Sequence, residues 1–112
     1  MIEGSKRTFT AGAALEPRRR VKLSGTSVVY AGDEEEAIGV TEFRAALGED
    51  ITVRLINAGG TFEVAAAGAI TAGAAIYPAA DGKVEGSGTT ARGAALNEAT
   101  ADGDIIECLL TS

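Results

Sequence analysis

The chain has 112 residues, a formal net charge of −6, 46% hydrophobic but only 4% aromatic residues, and no His, which suits one domain rather than two. The lack of His excludes the usual zinc sites and His-dependent triads, and Cys108 as the only cysteine excludes an intrachain disulfide framework. Residues 1–22 carry six basic against two acidic side chains, a balance of +4 that leaves −10 on the remainder; a basic end on an acidic body disfavours general nucleic-acid binding, which needs a broad positive face.

In chain order, the first residues (Met-Ile-Glu-Gly-Ser-Lys-Arg) lack the apolar region of a signal peptide, so the chain reads as a soluble protein matured in a reducing cytoplasm. Pro17 precedes the basic run Arg18, Arg19 and Arg20. Val28-Val29-Tyr30 reads as a strand, followed by the acidic stretch Gly32-Asp33-Glu34-Glu35-Glu36. In residues 51–56, Ile51, Val53 and Leu55 alternate with Thr52 and Arg54, the period of a half-buried strand. Asn57-Ala58-Gly59-Gly60 turns the chain into Thr61-Phe62-Glu63-Val64. Residues 65–80 are rich in Ala, a helix former, but Gly68, Gly73 and Pro78 interrupt any long helix; the stretch is also too short and too weakly apolar to span a bilayer. Asp81-Gly82 is a further turn, and Ile105-Ile106-Glu107-Cys108-Leu109-Leu110 is the last strand. Residues 41–47 and 94–100 read equally as a short helix or as strand plus loop. Fifteen glycines, about twice the usual share of roughly 7%, fit many tight turns. An apolar content dominated by Ala and Val buries little area per residue, so association is expected to supply part of the burial.

Self-similarity organises the chain. Residues 10–17 (Thr-Ala-Gly-Ala-Ala-Leu-Glu-Pro) match residues 71–78 (Thr-Ala-Gly-Ala-Ala-Ile-Tyr-Pro) at an offset of 61. Residues 39–56 match 93–110 at an offset of 54, with Gly39/Gly93, Asp50/Asp104, Ile51/Ile105 and Leu55/Leu109 in register. The expectation is an all-β chain with repeat halves of about 10–56 and 71–110 in a single domain over 10–112. On this alignment the first copy is seven residues longer, with the acidic run as its longer loop.

Candidate chemistry is sparse. No P-loop string is present, and Ala91 replaces the third glycine of a dinucleotide-like pattern begun at Gly86-Ser87-Gly88, so residues 82–93 read as a hairpin loop. The acidic run lacks the alternating ligands and closing Glu of a calcium loop, and Asp50 and Asp104 read as turn residues rather than a glycosidase pair. Cys108, with no His to activate it, reads as a small core hydrophobe. Arg18, Arg19 and Arg20 read either as an anion or carboxylate clamp or as a solvated turn. No catalytic, cofactor-binding or metal-binding residue emerges, and the expected role is structural rather than enzymatic.

The order of Thr-Ala-Gly-Ala-Ala, Ala37-Ile38-Gly39-Val40, the Gly-Glu-Asp-Ile-Thr-Val-Arg strand, Ile70-Thr71-Ala72-Gly73 and Ala80-Asp81-Gly82-Lys83-Val84 resembles the decoration (cement) proteins of tailed-phage capsids. The similarity continues through Arg92-Gly93-Ala94-Ala95-Leu96-Asn97-Glu98-Ala99 to the last strand, covering roughly residues 9–110. It implies a compact β-barrel or β-tulip-like body with an N-terminal arm over residues 1–9. It also implies a homotrimer, made in the host bacterial cytoplasm, that binds the major capsid protein on the outer surface of the virion, with no nucleic-acid or membrane partner. The charge division points to Lys6, Arg7 and Phe9, and with them Arg18, Arg19 and Arg20, as candidate capsid-binding residues. The competing reading is another phage structural or carbohydrate-binding β module, such as a tail or baseplate accessory.

Overall fold

Alternating burial along short β-branched runs gives ten strands in the computed structural model, which describes residues 6–56 and 60–110. They are β1 (Lys6–Ala11), β2 (Arg20–Ser24), β3 (Ser27–Tyr30), β4 (Gly39–Thr41), β5 (Asp50–Leu55), β6 (Thr61–Ala65), β7 (Ala75–Pro78), β8 (Val84–Glu85), β9 (Gly93–Ala95) and β10 (Ile105–Leu110). A short 3-10 segment at Ala80–Gly82 lies between β7 and β8. Residues 41–47 and 94–100, open between helix and strand plus loop in the sequence, are strand plus loop. The first five strands close into a barrel in the order β1-β3-β2-β4-β5, and the last five form an open sheet, β6-β10-β9-β7-β8.

Residues 6–9 are barrel wall rather than arm. β1 runs antiparallel to β5, from Lys6 opposite Arg54 to Thr10 opposite Asp50, and parallel to β3 at Thr10–Ser27 and Ala11–Val28. The pairing outweighs the polar composition of Lys-Arg-Thr because the ladder satisfies backbone groups whatever the side chains are. The remainder of the expected arm, residues 1–5, and most of the 57–60 turn lie outside the described residues.

The duplication is present, but in a different register. Each neighbour relation of the barrel recurs in the sheet: β1·β5 as β6·β10, β4·β5 as β9·β10, β2·β4 as β7·β9 and β2·β3 as β7·β8. The parallel β1·β3 pairing recurs as a single bridge between Ala66 and Val84, so the second half is a barrel left nearly open. Matching hydrogen bonds set the alignment. Ala11 N–H donates to Glu49 O, and Ala66 N–H to Asp104 O; Gly48 N–H donates to Ala11 O, and Gly103 N–H to Ala66 O. Leu15 bridges Ala45 as Ile70 bridges Ala99. The structural halves are therefore residues 6–56 and 61–110, offset by 54 to 56 throughout.

The match at offset 61 is not a structural equivalence. Residues 10–17 close β1 and leave it, whereas residues 71–78 lead into and form β7. Ala/Gly strings suit many backbone conformations, so their identity fixes no register. The first copy is accordingly not seven residues longer at the acidic loop, because small length differences are spread over several loops. The match at offset 54 holds for β4 and β9 but slips by one in the last strand: Thr100 is extra, and Ile106, Cys108 and Leu110 are the counterparts of Ile51, Val53 and Leu55. Burial agrees, since Ile106 and Cys108 are fully buried while Ile105 and Leu109 are each 46% exposed. A one-residue slip moves a whole strand face from core to solvent. Gly39 and Gly93 are required by close approach: a Cβ at either would collide with the carbonyl oxygen of Arg54 or of Leu109.

The barrel encloses its own core of Leu15, Val21, Val28, Ala45, Ile51 and Val53. The core of the second half is built from Phe62, Val64, Ile70, Ile76, Ile106 and Cys108, and it extends into Ala31, Ala37, Val40 and Ile56 of the first half. The two halves therefore share one continuous apolar contact. Backbone hydrogen bonds cross it from Ala65 N–H to Arg18 O and from Gly82 N–H to Ala31 O.

Candidate functional site

The inward positions of β1, β2 and β5 continue past the barrel core to its rim. Arg7 and Phe9 precede Ala11, Leu23 follows Val21, and Leu55 follows Val53, each on the alternation that points inward. With Lys22, Glu36, Ala37, Ile38 and Ile56 they line an open cleft of about 540 Å³. Leu23 is 49% exposed there, and the Arg7 guanidinium lies 5.0 Å over the Phe9 ring, a cation–π contact. Lys22 is held to Glu35 at 2.5 Å, and that bond lowers the Glu35 carboxyl below its ordinary range, with the Gly32 N–H as the next cause.

The same rim in the second half is closed. The counterparts of Arg7, Leu23 and Leu55 are Phe62, Pro78 and Leu110, and all three are buried. Phe62 and Leu110 cluster with Ala37, Val40 and Ile56 of the first half. One copy's mouth is thus stopped by the other copy, and the first copy's mouth is left open, lined by apolar side chains with Arg7, Lys22 and Glu36 at its edge. It is suited to receiving a protein segment with apolar side chains.

The six residues expected from sequence separate into different settings. Arg7 and Phe9 line the mouth. Lys6 pairs with Glu42 at 3.2 Å beside a second cleft of about 440 Å³ at the seam between the halves, also lined by Arg18, Arg54, Thr61, Glu63 and Glu107. Charges in that cleft are matched internally: Arg18 pairs with Glu63 at 3.4 Å, and Arg54 donates to Thr61 O and lies 4.2 Å over the Phe62 ring. Arg19 donates to Asp81 O at 3.0 Å and lies over Tyr30. Arg20 is fully buried and donates to Glu35 O at 2.8 Å. The basic run is therefore not one clamp: Arg18 sits in a bend with a left-handed backbone, Arg19 follows it, and only Arg20 belongs to β2, so the three side chains leave in different directions.

Arg20 is a seam residue. Its counterpart Ala75 is exposed, so it is the packing of the second half that buries the guanidinium. Burial lowers its pKa to about 10, and neighbouring Arg92 adds to the fall. Cys108, buried beside it, is pushed up to about 12 by desolvation, which suits the core role expected from sequence.

The acidic run is structural. Glu34 accepts hydrogen bonds from Thr89 N–H and Thr90 N–H at 3.1 and 3.3 Å, which ties down the glycine-rich loop of the second half, and Glu36 approaches Arg92 at 3.8 Å. Glu49 and Asp104 are counterparts that each accept from the N–H three residues earlier, Ala46 and Ala101. Among the described residues no group of three or more His, Cys, Asp or Glu side chains is placed to hold a metal, and no helix is long and apolar enough to cross a membrane.

Sequence reading missed Leu23, Ile38 and Leu55 as residues of the mouth. Their composition is that of ordinary strand core, and only barrel length shows that they stand beyond the last enclosed layer.

A family model described as phage cement protein matches residues 3–110. The fold is similar to the crystal structure of the head fiber gp8.5 N base in bacteriophage phi29, at a TM-score of 0.81 and 17% identity, covering 95% of this chain and 92% of that one. No curated protein matches the sequence.

Proposed function

Because the chain belongs to the phage cement protein family, we propose that it is a non-enzymatic capsid accessory protein that binds the major capsid protein on the outer surface of a phage head as a homotrimer. Its work is mechanical: several copies each bury modest area across neighbouring capsid subunits, and the linked contacts hold the lattice by avidity. The observation that supports a contact site is the open barrel mouth. Arg7, Phe9, Leu23 and Leu55 line it, while their counterparts Phe62, Val64, Pro78 and Leu110 are buried. An apolar capsid segment, with a carboxylate facing Arg7, is the occupant that this lining favours.

The test is co-sedimentation with purified heads stripped of the protein. Leu23→Glu, at an exposed rim position, is expected to lower head binding at least tenfold while the circular dichroism spectrum is unchanged, and Arg7→Glu is expected to act in the same direction. Full binding by both variants would refute the mouth as the contact. Removing residues 1–5 tests the arm separately; a deletion reaching residue 9 would remove a barrel strand and test folding instead.

A further inference from the structure

A strand ladder leaves backbone donors and acceptors at its edge, and an uncovered edge accepts another extended chain. In β1 the Ala11 N–H donates to Glu49 O, and Lys6 to Thr10 lie opposite Arg54 to Asp50. Backbone bonding alternates along an antiparallel ladder, so Arg7, Phe9 and Ala11 bond β5. Lys6, Thr8 and Thr10 turn their N–H and C=O groups to the opposite edge. There β3 pairs only with Thr10 and Ala11, because it starts at Ser27, directly out of the hairpin turn at Gly25-Thr26. Among the described residues no hydrogen bond reaches the backbone of Lys6 or Thr8 on that side, and Lys6, Arg7 and Thr8 are exposed.

The counterpart edge in the second half is covered. β6 meets β8 only at the Ala66–Val84 bridge, and the first half takes the rest of its edge. Arg18 O accepts from Ala65 N–H at 2.9 Å, Arg54 donates to Thr61 O, and the Arg18 side chain pairs with Glu63. Lys6 and Thr8 are the counterparts of Thr61 and Glu63. The gap beside them separates β1, with Arg7 and Phe9, from the β2–β3 hairpin, with Leu23, and all three side chains line the open mouth.

We propose that an extended segment of the major capsid protein adds to β1 as a strand. It bonds the outward backbone groups of Lys6 and Thr8 and sends alternate apolar side chains into the mouth. The inference rests on the reading of the mouth as the capsid contact and assigns its mode of binding. Free backbone groups select an extended chain, and Arg7 selects its charge, since the guanidinium lies over Phe9 and pairs with no carboxylate among the described residues. A second copy is the poorer occupant. Two β1 edges joined so that Lys6 bonds Thr8 would set Arg7 opposite Arg7, and like charges directly opposite are destabilising.

The test removes one amide from the full chain. Proline is tolerated where a strand N–H faces away from its ladder, so Thr8→Pro deletes the outward N–H and keeps the β5 pairing, while Thr8→Val keeps the amide. In co-sedimentation with stripped heads, Thr8→Pro is expected to bind at least tenfold more weakly than Thr8→Val, with matching circular dichroism spectra. Should the proline variant fail to fold, hydrogen exchange in the parent chain provides the second measurement. The Lys6 and Thr8 amides are expected to exchange faster than those of Arg7 and Phe9 in the free protein, and to slow at least tenfold on stripped heads. Equal binding by folded Thr8→Pro and Thr8→Val, or exchange at Thr8 unchanged by heads, overturns the proposal. So does a parent chain that self-associates without heads and is made monomeric by Thr8→Pro, which would assign the edge to a second copy. Loss of binding in Leu23→Glu with full binding by Thr8→Pro sinks strand addition and leaves the mouth standing. Full binding by Leu23→Glu and Arg7→Glu overturns the mouth reading and this inference with it.

Discussion

Arg18 and Gly73 are counterparts in the two halves, and both hold a left-handed backbone, with φ of 62° and 84°. Each donates its N–H across the same strand junction, Arg18 to Thr41 O and Gly73 to Ala95 O. Glycine adopts this conformation freely, whereas a side chain there costs about 1–2 kcal/mol. The first half retains Arg18, whose exposed pair with Glu63 returns only about 0–1 kcal/mol. Arg18→Gly is therefore expected to be at least as stable as the parent. Gly73→Ala, with nothing within 4 Å of the added Cβ, should cost about 1 kcal/mol through φ alone. Urea denaturation midpoints check both.

Arg20 carries a buried charge whose Nε and Nη1 have no hydrogen-bond partner among the described residues, beside the like charge of Arg92. Replacing a buried charge by an apolar side chain of similar volume is often neutral or stabilising. Arg20→Met is expected to lie within about 1 kcal/mol of the parent or above it. Arg20→Ala, which opens a cavity at the seam, should lose about 2 kcal/mol or more. A comparable loss in both variants would show that the charge itself holds the halves together.

Cys108 should be inert in the folded protein. Its thiol is pushed up to about 12 by burial, so at pH 8 the reactive thiolate is about one part in ten thousand. A disulfide-exchange reagent is expected to label it only as denaturant unfolds the chain, with a labelling curve that follows the loss of circular dichroism. Its counterpart Val53 shows what the position accepts: Cys108→Val should cost less than about 1.5 kcal/mol. Rapid labelling of the native protein would contradict this burial.

Two carboxylates should give opposite pH responses. Glu85 is raised above 4.5 by burial and then by the neighbouring charge of Asp33. Its unfavourable contribution is full above the folded value and fades as pH falls through it. Glu85→Gln should therefore raise the melting temperature slightly at pH 7 and leave it unchanged near pH 3. Asp104 is lowered below 3.8 by the Thr100 N–H and hydroxyl and the Ala101 N–H. Its stabilisation is present above 3.8 and lost as pH falls through the lower folded value, so Asp104→Asn should weaken the protein at pH 7 and not in strong acid. Melts at the two pH values give both signs.

The sequence by itself determined the class and the duplication. Alternation in residues 51–56, the glycine count and the absence of His make an all-β chain without familiar site chemistry, because these properties are local or compositional. The match between Gly39 and Gly93 was legible because close backbone approach leaves only glycine at both places. Register was not legible: Ile-Ile-Glu-Cys-Leu-Leu presents an aliphatic residue on either face, so only pairing with β6 and β9 decides that Ile106 and Cys108 are core and Ile105 and Leu109 surface. The basic run was visible, yet the fates of Arg18, Arg19 and Arg20 depended on the bend that precedes β2 and on where the second half packs. The site was the least legible feature. Whether Leu23 and Leu55 are core or rim depends on which barrel mouth the rest of the chain covers, and that is a property of tertiary packing alone.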